Sequence, residues 1–265
     1  IGAYAITEPN TGSDAAGLAT RVERKNGGYV INGRKNFITN GTICDYCLVA
    51  AYTDRSRRGE GISVFIVDRD TPGFEVTRKL EKMGHRSSDT AELVFEDCEV
   101  PEEALLGGKE GAFGALMEAL ITSRVSHGVK SAAIAEAAFL AARQYATERE
   151  AVGRSLSKFQ AIRFKLADMA TRIEAARSLL RSAATAKDSG QAVSALASMA
   201  KLFASETAMY VTTQAVQVFG GYGYMKEYPV EKLFRDAKVT EIYEGTNEIQ
   251  RIVISRELYA ANRTS

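Results

Sequence analysis

The feature that most constrains this chain is a long central stretch without proline. The chain has four prolines, and none of them lies between Pro101 and Pro229. Within that stretch, alanine-rich apolar residues recur every three to four positions, which is typical of amphipathic helices. The three clearest segments are SAAIAEAAFLAARQYATERE, FQAIRFKLADMATRIEAARSLLRSAATAKDSG and AVSALASMAKLFASETAMYVTTQAVQVFGG. The last two stop at Gly190 and at Gly220-Gly221, as helices that end on a left-handed glycine do. The pattern predicts a helical bundle.

Residues 1–101 show a different period. The runs YCLVAAY, ISVFIVD, FEVTRK and AELVFEDCEV follow one another at short spacing, which predicts strands. Asn26-Gly27 and Asn32-Gly33 interrupt an earlier alternating segment, and Asn-Gly in that position is a strong hairpin signal. No helical segment separates the runs, which favours an antiparallel barrel or sandwich over βαβ units. The predicted fold is α+β multidomain, with an antiparallel β-barrel domain at 1–101 and an up-down four-helix-bundle-like domain at 102–265.

Charge and composition exclude little but point away from some partners. Lys plus Arg is 34 and Asp plus Glu is 33, so the net charge of +1 gives no support for a nucleic acid or an anionic membrane surface as partner. No apolar run reaches the length of a membrane span. The chain opens on IGAYAITEP without Met, which we interpret as a start inside a fold.

Cys44 and Cys47 form a CxxC without a second pair or a nearby His, so we predict buried apolar cysteines and no metal site.

Three loops could carry chemistry. In TEPNTGSD, Gly12 and Ser13 form either an anion- or amide-binding loop or an ordinary polar turn. GGYGYMKEYPVEKLFRDAK lacks GxGxxG and a preceding strand, which excludes a Rossmann site, and its glycines either admit a phosphate or form a plain helix–helix turn. In EREAVGRSLSKFQ, Arg149 and Arg154 either grip a phosphate or are solvated charges.

Glu244, in EIYEGTNEIQRI, precedes Gly245 and a predicted helix that Asn247 is expected to cap. A helix N-terminus stabilises an ionised carboxylate, whereas burial beside an apolar substrate destabilises it. Glu244 is therefore either a base for a carbon-bound proton or a charge at a helix end. The neighbouring Glu241 is expected to be structural.

Taken together, six ordered motifs resemble the acyl-CoA dehydrogenase family along essentially the whole chain. They are AYAITEPNTGSDAAG, INGRKNFITNG, EKMGHRSSDTAELVFEDCEVP, YATEREAVGRSLSKFQAIRFKLADMA, QAVQVFGGYGYMKEYPVEKLFRDAK and IYEGTNEIQRIVISREL. The resemblance implies a middle β-domain and a C-terminal helical domain, with the family's N-terminal helical domain outside this sequence. It implies FAD-dependent α,β-dehydrogenation of an acyl-CoA thioester to the trans-2-enoyl-CoA.

The resemblance also assigns the catalytic and substrate positions. Glu244 matches the base that removes the α-proton while a hydride passes to flavin N5, and its backbone N–H matches a donor to the thioester carbonyl. Some relatives place the base at the position of Ser123, which cannot act as that base here. The positions matching substrate contacts are Ser13, Ser88, Arg124, Tyr243 and Gly245.

The flavin positions carry over in the same way. In the β-domain they are Tyr4, Ile6, Thr7, Gly12, Ser13, Phe37, Ile38 and Thr39. In the helical domain, the positions that match groups holding the FAD of a neighbouring subunit are Arg149, Gln160, Gln217, Gly220 and Gly221. Thr246 and Glu248 match further FAD contacts that follow the base. The resemblance therefore implies a homodimer or homotetramer, with an electron-transferring flavoprotein as electron acceptor.

Two positions depart from the family pattern. Val152 stands where the family usually has Phe, and Ile121 stands where many members have Asp, although Arg124 is retained. His127 near the second departure is either a core or a pocket residue.

The competing hypotheses are a non-catalytic piece that oligomerises without retaining FAD, and an acyl-CoA oxidase. The expected location is the bacterial cytoplasm or the mitochondrial matrix.

Overall fold

The computed structural model describes residues 1–260 and divides the chain into two compact units, Ile1–Glu118 and Ala119–Ser265. The boundary thus falls later than the predicted one after residue 101. The reason is local packing: Leu116 joins an apolar cluster with Ile62, and the Ala112 N–H donates to the Ile62 carbonyl at 2.8 Å. The segment that follows the last long strand therefore completes the first unit.

The first unit is built on a seven-stranded sheet. Its strands are β1 (Gly2–Ala5), β2 (Arg21–Lys25), β3 (Gly28–Thr39), β4 (Tyr46–Tyr52), β5 (Ile62–Asp68), β6 (Phe74–Lys79) and β7 (Thr90–Pro101). The order is β1-β4-β2-β3-β7-β6, with β5 also paired to β4. The predicted antiparallel barrel holds only in part, because β1 and β2 both pair in parallel with β4. The β2–β3 hairpin separates β1 from β4 in the chain, and a long connection permits parallel pairing.

One of the two predicted hairpin turns is confirmed and the other is wrong. Asn26 and Gly27 have φ of 53° and 81° and join β2 to β3, as a type I′ turn requires. Gly33 instead lies inside β3, at a register shift against β7. A Cβ at Gly33 would lie 2.3 Å from the Thr20 Oγ1. The glycine therefore serves a close approach within the sheet rather than a turn.

All three cysteines are free and buried in the first unit, as predicted for apolar core residues. Burial raises the pKa of the Cys47 thiol to about 12 and that of Cys98 to about 11. Thiols with such pKa values are poor nucleophiles near neutral pH. Within residues 1–260, no group of three or more His, Cys, Asp or Glu side chains is arranged to hold a metal ion.

The second unit is helical, as predicted. The described helices are α1 (Phe113–Glu148), whose first turn belongs to the first unit, α2 (Gln160–Asp188), α3 (Ser194–Phe219), α4 (Pro229–Lys238) and α5 (Asn247–Ala260). A short hairpin follows α1, and its strands, β8 (Glu150–Ala151) and β9 (Arg154–Ser155), have two residues each. The helices α2, α4 and α5 all contact α3. The prediction was a four-helix-bundle-like domain, and the described unit has three long helices and two short ones.

Alanine explains how the long helices approach one another. Ala135, Ala138 and Ala142 recur on one face of α1 and pack in one core cluster with Met169 of α2 and Ala208 of α3. Small side chains at these positions let helix backbones come close without voids. None of the helices in residues 1–260 has an apolar stretch that could cross a membrane.

The helix ends follow the predicted glycines. Gly190, with φ of 73°, follows α2, and Gly220, with φ of 62°, ends α3. Both are left-handed conformations that glycine adopts without steric cost.

Candidate functional site

Glu244 occupies a strained turn at the start of α5. Its φ is 58°, and that of Gly245 is 84°, so two successive residues are left-handed. A glutamate in this region costs on the order of 1–3 kcal/mol, and such strain is concentrated at functional sites. A Cβ at Gly245 would lie 2.8 Å from the Gln250 Nε2, so glycine is required there.

The carboxylate of Glu244 meets two side chains of α1. The Ser123 hydroxyl donates to Glu244 Oε2, so the structure brings together the two positions to which the resemblance assigns a base in different relatives. His127 Nε2 lies 4.0 Å from Glu244 Oε1, and the two side chains are 27% and 23% exposed. His127 Nδ1 lies 2.9 Å from the Ser123 carbonyl oxygen, which can only accept. Nδ1 therefore carries hydrogen, and Nε2 faces the carboxylate.

The predicted substrate residues Tyr243 and Arg124 lie beside this carboxylate. The Tyr243 ring stacks edge-on against His127 with centroids 4.5 Å apart, and burial raises the pKa of its hydroxyl. Arg124 is buried and donates from Nη1 to the Ser198 hydroxyl at 3.3 Å. Burial lowers the pKa of Arg124, while the Glu244 charge acts in the opposite direction. His127 is thus a neighbour of the site rather than a remote core residue.

A buried polar network underlies the turn, and sequence reasoning missed it. Lys201 of α3 donates from Nζ to the Gly245 carbonyl and to Asn247 Oδ1, each at 3.0 Å. Gln250 of α5 donates from Nε2 to the carbonyls of Glu244 at 3.1 Å and Gly245 at 2.8 Å. Both Lys201 and Gln250 are fully buried. The sequence did contain a signal for this network. Lys201 follows Ala197 by about one helical turn, so a charged residue lies on the apolar face of α3.

The predicted cap of α5 is wrong. Asn247 is the first residue of α5, and its side chain accepts from Lys201 and from the Ser205 hydroxyl at 3.0 Å. The Thr246 hydroxyl accepts from the Ile249 N–H at 3.4 Å and occupies the capping position instead. The error arose because Asn at a helix start is equally well explained by a cap and by a tertiary partner, and only the fold supplies Lys201.

In the first unit, the predicted flavin residues surround a second buried network. Lys35 donates from Nζ to Glu8 Oε1 at 2.8 Å and to the Ile6 carbonyl at 3.0 Å. The same carboxylate accepts from the Thr20 hydroxyl at 2.6 Å and from the Ala19 N–H at 2.5 Å. Burial alone would raise the pKa of Glu8, but the Lys35 ammonium and these donors hold it below its ordinary value. The network fixes the start of the TEPNTGSD loop.

The loop itself presents its predicted residues outward. Glu8 and Thr11 close it with reciprocal backbone hydrogen bonds of 2.9 and 3.1 Å. Gly12 and Ser13, which follow Thr11 in the loop, are exposed, as is Tyr4. Ile6 and Thr7 are half-buried. The Thr7 carbonyl accepts from the Asn36 N–H at 2.8 Å, which ties the loop to β3.

At the end of β3, alternate residues point in opposite directions. Phe37 is 64% exposed and has φ of 60°, which is a strained conformation for an aromatic residue. Thr39 is exposed, whereas the Ile38 side chain is buried in the core of the unit. Ile38 is only 2% exposed as a whole residue, so of these three positions only Phe37 and Thr39 present surface. Ser88 is half-buried, and its carbonyl accepts from Lys82 Nζ at 2.6 Å.

A cavity of about 590 Å³ gathers four of the predicted flavin residues of the second unit. Arg149, Gln217, Gly220 and Gly221 line it together with apolar and aromatic side chains. A Cβ at Gly220 or Gly221 would meet no atom within 4 Å, so their backbone faces open space. Gln160, Thr246 and Glu248 are not among the lining residues; Gln160 and Glu248 are exposed, and Thr246 lies in the turn of Glu244.

Val152, the departure beside this cavity, is 93% exposed and has φ of 52°. It forms the β8–β9 turn with Gly153, whose φ is 75°. Both central residues are thus left-handed, which is costly for a β-branched side chain.

Comparison with known proteins finds one family over most of the chain. The acyl-CoA dehydrogenase middle domain matches residues 3–98, and the acyl-CoA dehydrogenase C-terminal domain matches residues 111–259. An acyl-CoA dehydrogenase of Bacillus subtilis (strain 168) is 50% identical over 97% of this chain, which covers 68% of that protein.

Two solved structures share the fold. Butyryl-CoA dehydrogenase from Megasphaera elsdenii is 48% identical with a TM-score of 0.95, over 98% of this chain and 68% of that one. A chain of the structure described as "Electron transferring flavoprotein of Acidaminococcus fermentans: Towards a mechanism of flavin-based electron bifurcation" is 52% identical with a TM-score of 0.95, over 97% and 68%. The chain belongs to the acyl-CoA dehydrogenase family.

Proposed function

We propose that this chain carries the catalytic base and flavin contacts of an FAD-dependent acyl-CoA dehydrogenase, and that Glu244 removes the α-proton of the thioester. The observation that supports this most is the Glu244 carboxylate itself. It is partly buried, held in a left-handed turn and accompanied by Ser123, His127 and Arg124. A fixed, partly desolvated carboxylate suits the abstraction of a weakly acidic carbon-bound proton.

Each neighbour has a role in this proton transfer. The Ser123 hydroxyl orients one carboxylate oxygen and leaves the other to accept the proton. The buried Arg124 guanidinium attracts the ionised carboxylate. The backbone N–H of Glu244 would donate to the thioester carbonyl, so that negative charge developing on that oxygen is stabilised as the proton leaves. Tyr243 would pack beside the reacting carbons.

FAD would supply the acceptor for the β-hydride, and the chain presents two surfaces that fit it. In the first unit, the strained and exposed Phe37 lies near the exposed Thr39 at the end of β3, and the resemblance assigns both positions to flavin contacts. In the second unit, the cavity lined by Arg149 and Gln217 offers a guanidinium, an amide and accessible glycine backbone, which are suitable partners for a pyrophosphate. Because the resemblance assigns this cavity to a neighbouring subunit's FAD, we also propose a homodimer or homotetramer.

The related butyryl-CoA dehydrogenase supports short acyl-CoA thioesters as the substrate class. The similarity to a chain of the electron-transferring flavoprotein structure supports such a flavoprotein as electron acceptor. An acyl-CoA oxidase would differ in the acceptor. Steady-state turnover with an electron-transferring flavoprotein, compared with oxygen alone, distinguishes these two functions. The hypothesis of a non-catalytic piece is not favoured, since the relatives matched over nearly the whole chain are named as enzymes.

The decisive experiment is Glu244→Gln in the FAD-loaded protein. We expect the flavin absorbance to remain, while the rate of anaerobic flavin bleaching by butyryl-CoA falls by roughly 10²–10⁴-fold. Glu174→Gln is the matched control, because Glu174 is exposed on α2, pairs with Arg181 at 2.7 Å and is not among the charges that act on Lys201. Bleaching of the Glu244→Gln flavin at the parent rate would exclude Glu244 as the base.

A further inference from the structure

We propose that Lys201 and Gln250 are positioning residues that hold the backbone of Glu244 and Gly245 in its left-handed conformation and thereby aim the base. This inference rests on the proposed function of Glu244. It assigns a catalytic purpose to a buried polar cluster that touches neither substrate nor cofactor.

The backbone of the turn needs an external restraint. Two consecutive left-handed residues leave the carbonyls of Glu244 and Gly245 directed toward one side, where Gln250 Nε2 donates to both, at 3.1 and 2.8 Å. Only a donor group fits there, since a carboxylate or an amide oxygen would meet two carbonyl oxygens. Gln250 is fully buried, so water cannot replace its amide.

Lys201 restrains the same turn from α3. Its Nζ donates to the Gly245 carbonyl and to Asn247 Oδ1, and Ser205 adds a second donor to Asn247. An ammonium group with no exposed surface is expensive to bury, and a neutral side chain would pack there at lower cost. The buried ammonium is explained if its hydrogen bonds hold the adjacent turn rigid and its electric field acts on that turn.

The charges around Lys201 are consistent with such a role. Glu241, Glu244 and Glu248 attract its ammonium group, and Arg124 repels it. The ammonium thus joins the base to α3 both through hydrogen bonds and through Coulombic attraction. A tether that only stabilised the fold would not need to converge on the carbonyl next to the catalytic residue.

The test uses Lys201→Met and Gln250→Met, which keep the approximate side-chain volume but remove the donors. Ala142→Gly is the control, because Ala142 is fully buried in α1 and belongs to the apolar cluster of Met169, not to the cluster of Ala200 beside Lys201. It destabilises the helical unit without touching the Glu244 backbone. Each variant, with the parent and Glu244→Gln, is loaded with FAD.

Two readouts are needed. The first is the anaerobic bleaching rate and its dependence on butyryl-CoA concentration. We expect the bleaching rate of both methionine variants to fall by about tenfold or more, while their substrate affinity changes by less than about threefold. The reason is that misaligned reactive groups lower the rate of the chemical step. The second is hydrogen–deuterium exchange of the peptide covering residues 243–248 in the chain without flavin. We expect that peptide to exchange about tenfold or more faster in both variants and at the parent rate in the control.

The outcomes separate this inference from the proposed function. If Glu244→Gln bleaches at the parent rate, the proposed function fails. If Glu244→Gln is inactive but both methionine variants bleach at the parent rate, only the positioning role fails. The positioning role is also overturned if Ala142→Gly slows bleaching as much as they do, since the effect would then follow stability alone. Should Lys201→Met not fold, Gln250→Met alone still decides the question.

Discussion

Raising the pH above neutrality should stabilise the folded chain through Lys201. Burial lowers the pKa of Lys201 from 10.5 to about 8, with the Arg124 charge acting in the same direction and Glu241, Glu244 and Glu248 opposing it. Because the folded-state pKa lies below the unfolded-state value, the unfolded chain binds more protons between these two pH values. The cost of burying the ammonium is therefore fully present below pH 8 and is relieved as the pH rises toward 10.5.

The magnitude follows from the separation of the two pKa values. A lowering of about 2.5 units corresponds to about 3 kcal/mol of unfolding free energy over the whole titration. Integrated between pH 7 and pH 9.5, the Lys201 contribution to that free energy should rise by about 2 kcal/mol.

The assay is thermal unfolding of the parent and of Lys201→Met at half-unit steps from pH 7 to pH 9.5. Other groups also titrate in this range, notably the thiols of Cys44, Cys47 and Cys98 in the unfolded chain, because burial raises their pKa values only in the folded chain. Both proteins share those groups, so the difference in Tm between them isolates Lys201. We expect the Tm of the parent to rise relative to that of the variant by several degrees between pH 7 and pH 9.5, because 1 kcal/mol corresponds to about 2–4 °C in a chain of this size.

A constant difference in Tm across this pH range would refute the reasoning, because it would mean that Lys201 has the same pKa in the folded and unfolded chain. A fall in the Tm of the parent relative to that of the variant as the pH rises would be the wrong sign and would imply a folded-state pKa above the ordinary value.

Three further predictions concern other parts of the chain. Val152→Asn should raise the free energy of unfolding by roughly 1 kcal/mol, because Asn tolerates the left-handed turn and the 93% exposed Val152 buries little surface, and this is measured as a rise in Tm. Thr246→Ala should lower it by roughly 0.5–1 kcal/mol through loss of the α5 cap, measured as a fall in urea midpoint. Glu8→Gln should lower it by roughly 3–5 kcal/mol, because the fully buried Lys35 ammonium loses its counter-ion, again measured by urea unfolding.

Matched variants show whether these reasons are right. Val152→Ala removes the β-branch but keeps a Cβ at positive φ, so it should stabilise less than Asn. Thr246→Ser keeps the hydroxyl and should retain most of the cap. Glu8→Gln combined with Lys35→Met should recover much of the loss, and a double variant as unstable as Glu8→Gln alone would contradict the ion-pair explanation.

The kinds of elements and their chain order could be predicted because they depend on local patterns. Alternation identified the strands, alanine periodicity identified α1 to α3, and Asn26-Gly27 and Gly190 marked a turn and a helix end. The parallel pairing of β1 with β4 was missed, since pairing partners far apart in the chain leave no local signature. Asn32-Gly33 was mistaken for a turn for the same reason, because the close approach of Thr20 is a property of the sheet.

The sequence by itself determined which residue types were available for the chemistry, including the carboxylate before Gly245 and the family motifs around it. Only the tertiary structure decided what those groups experience. Lys201 is 44 residues from Gly245 in the chain but 3.0 Å from its carbonyl in space, and Lys35 is 27 residues from Glu8 but 2.8 Å from its carboxylate. Burial and partner geometry, which set the pKa of a side chain and the direction in which it points, arise only when distant segments pack together.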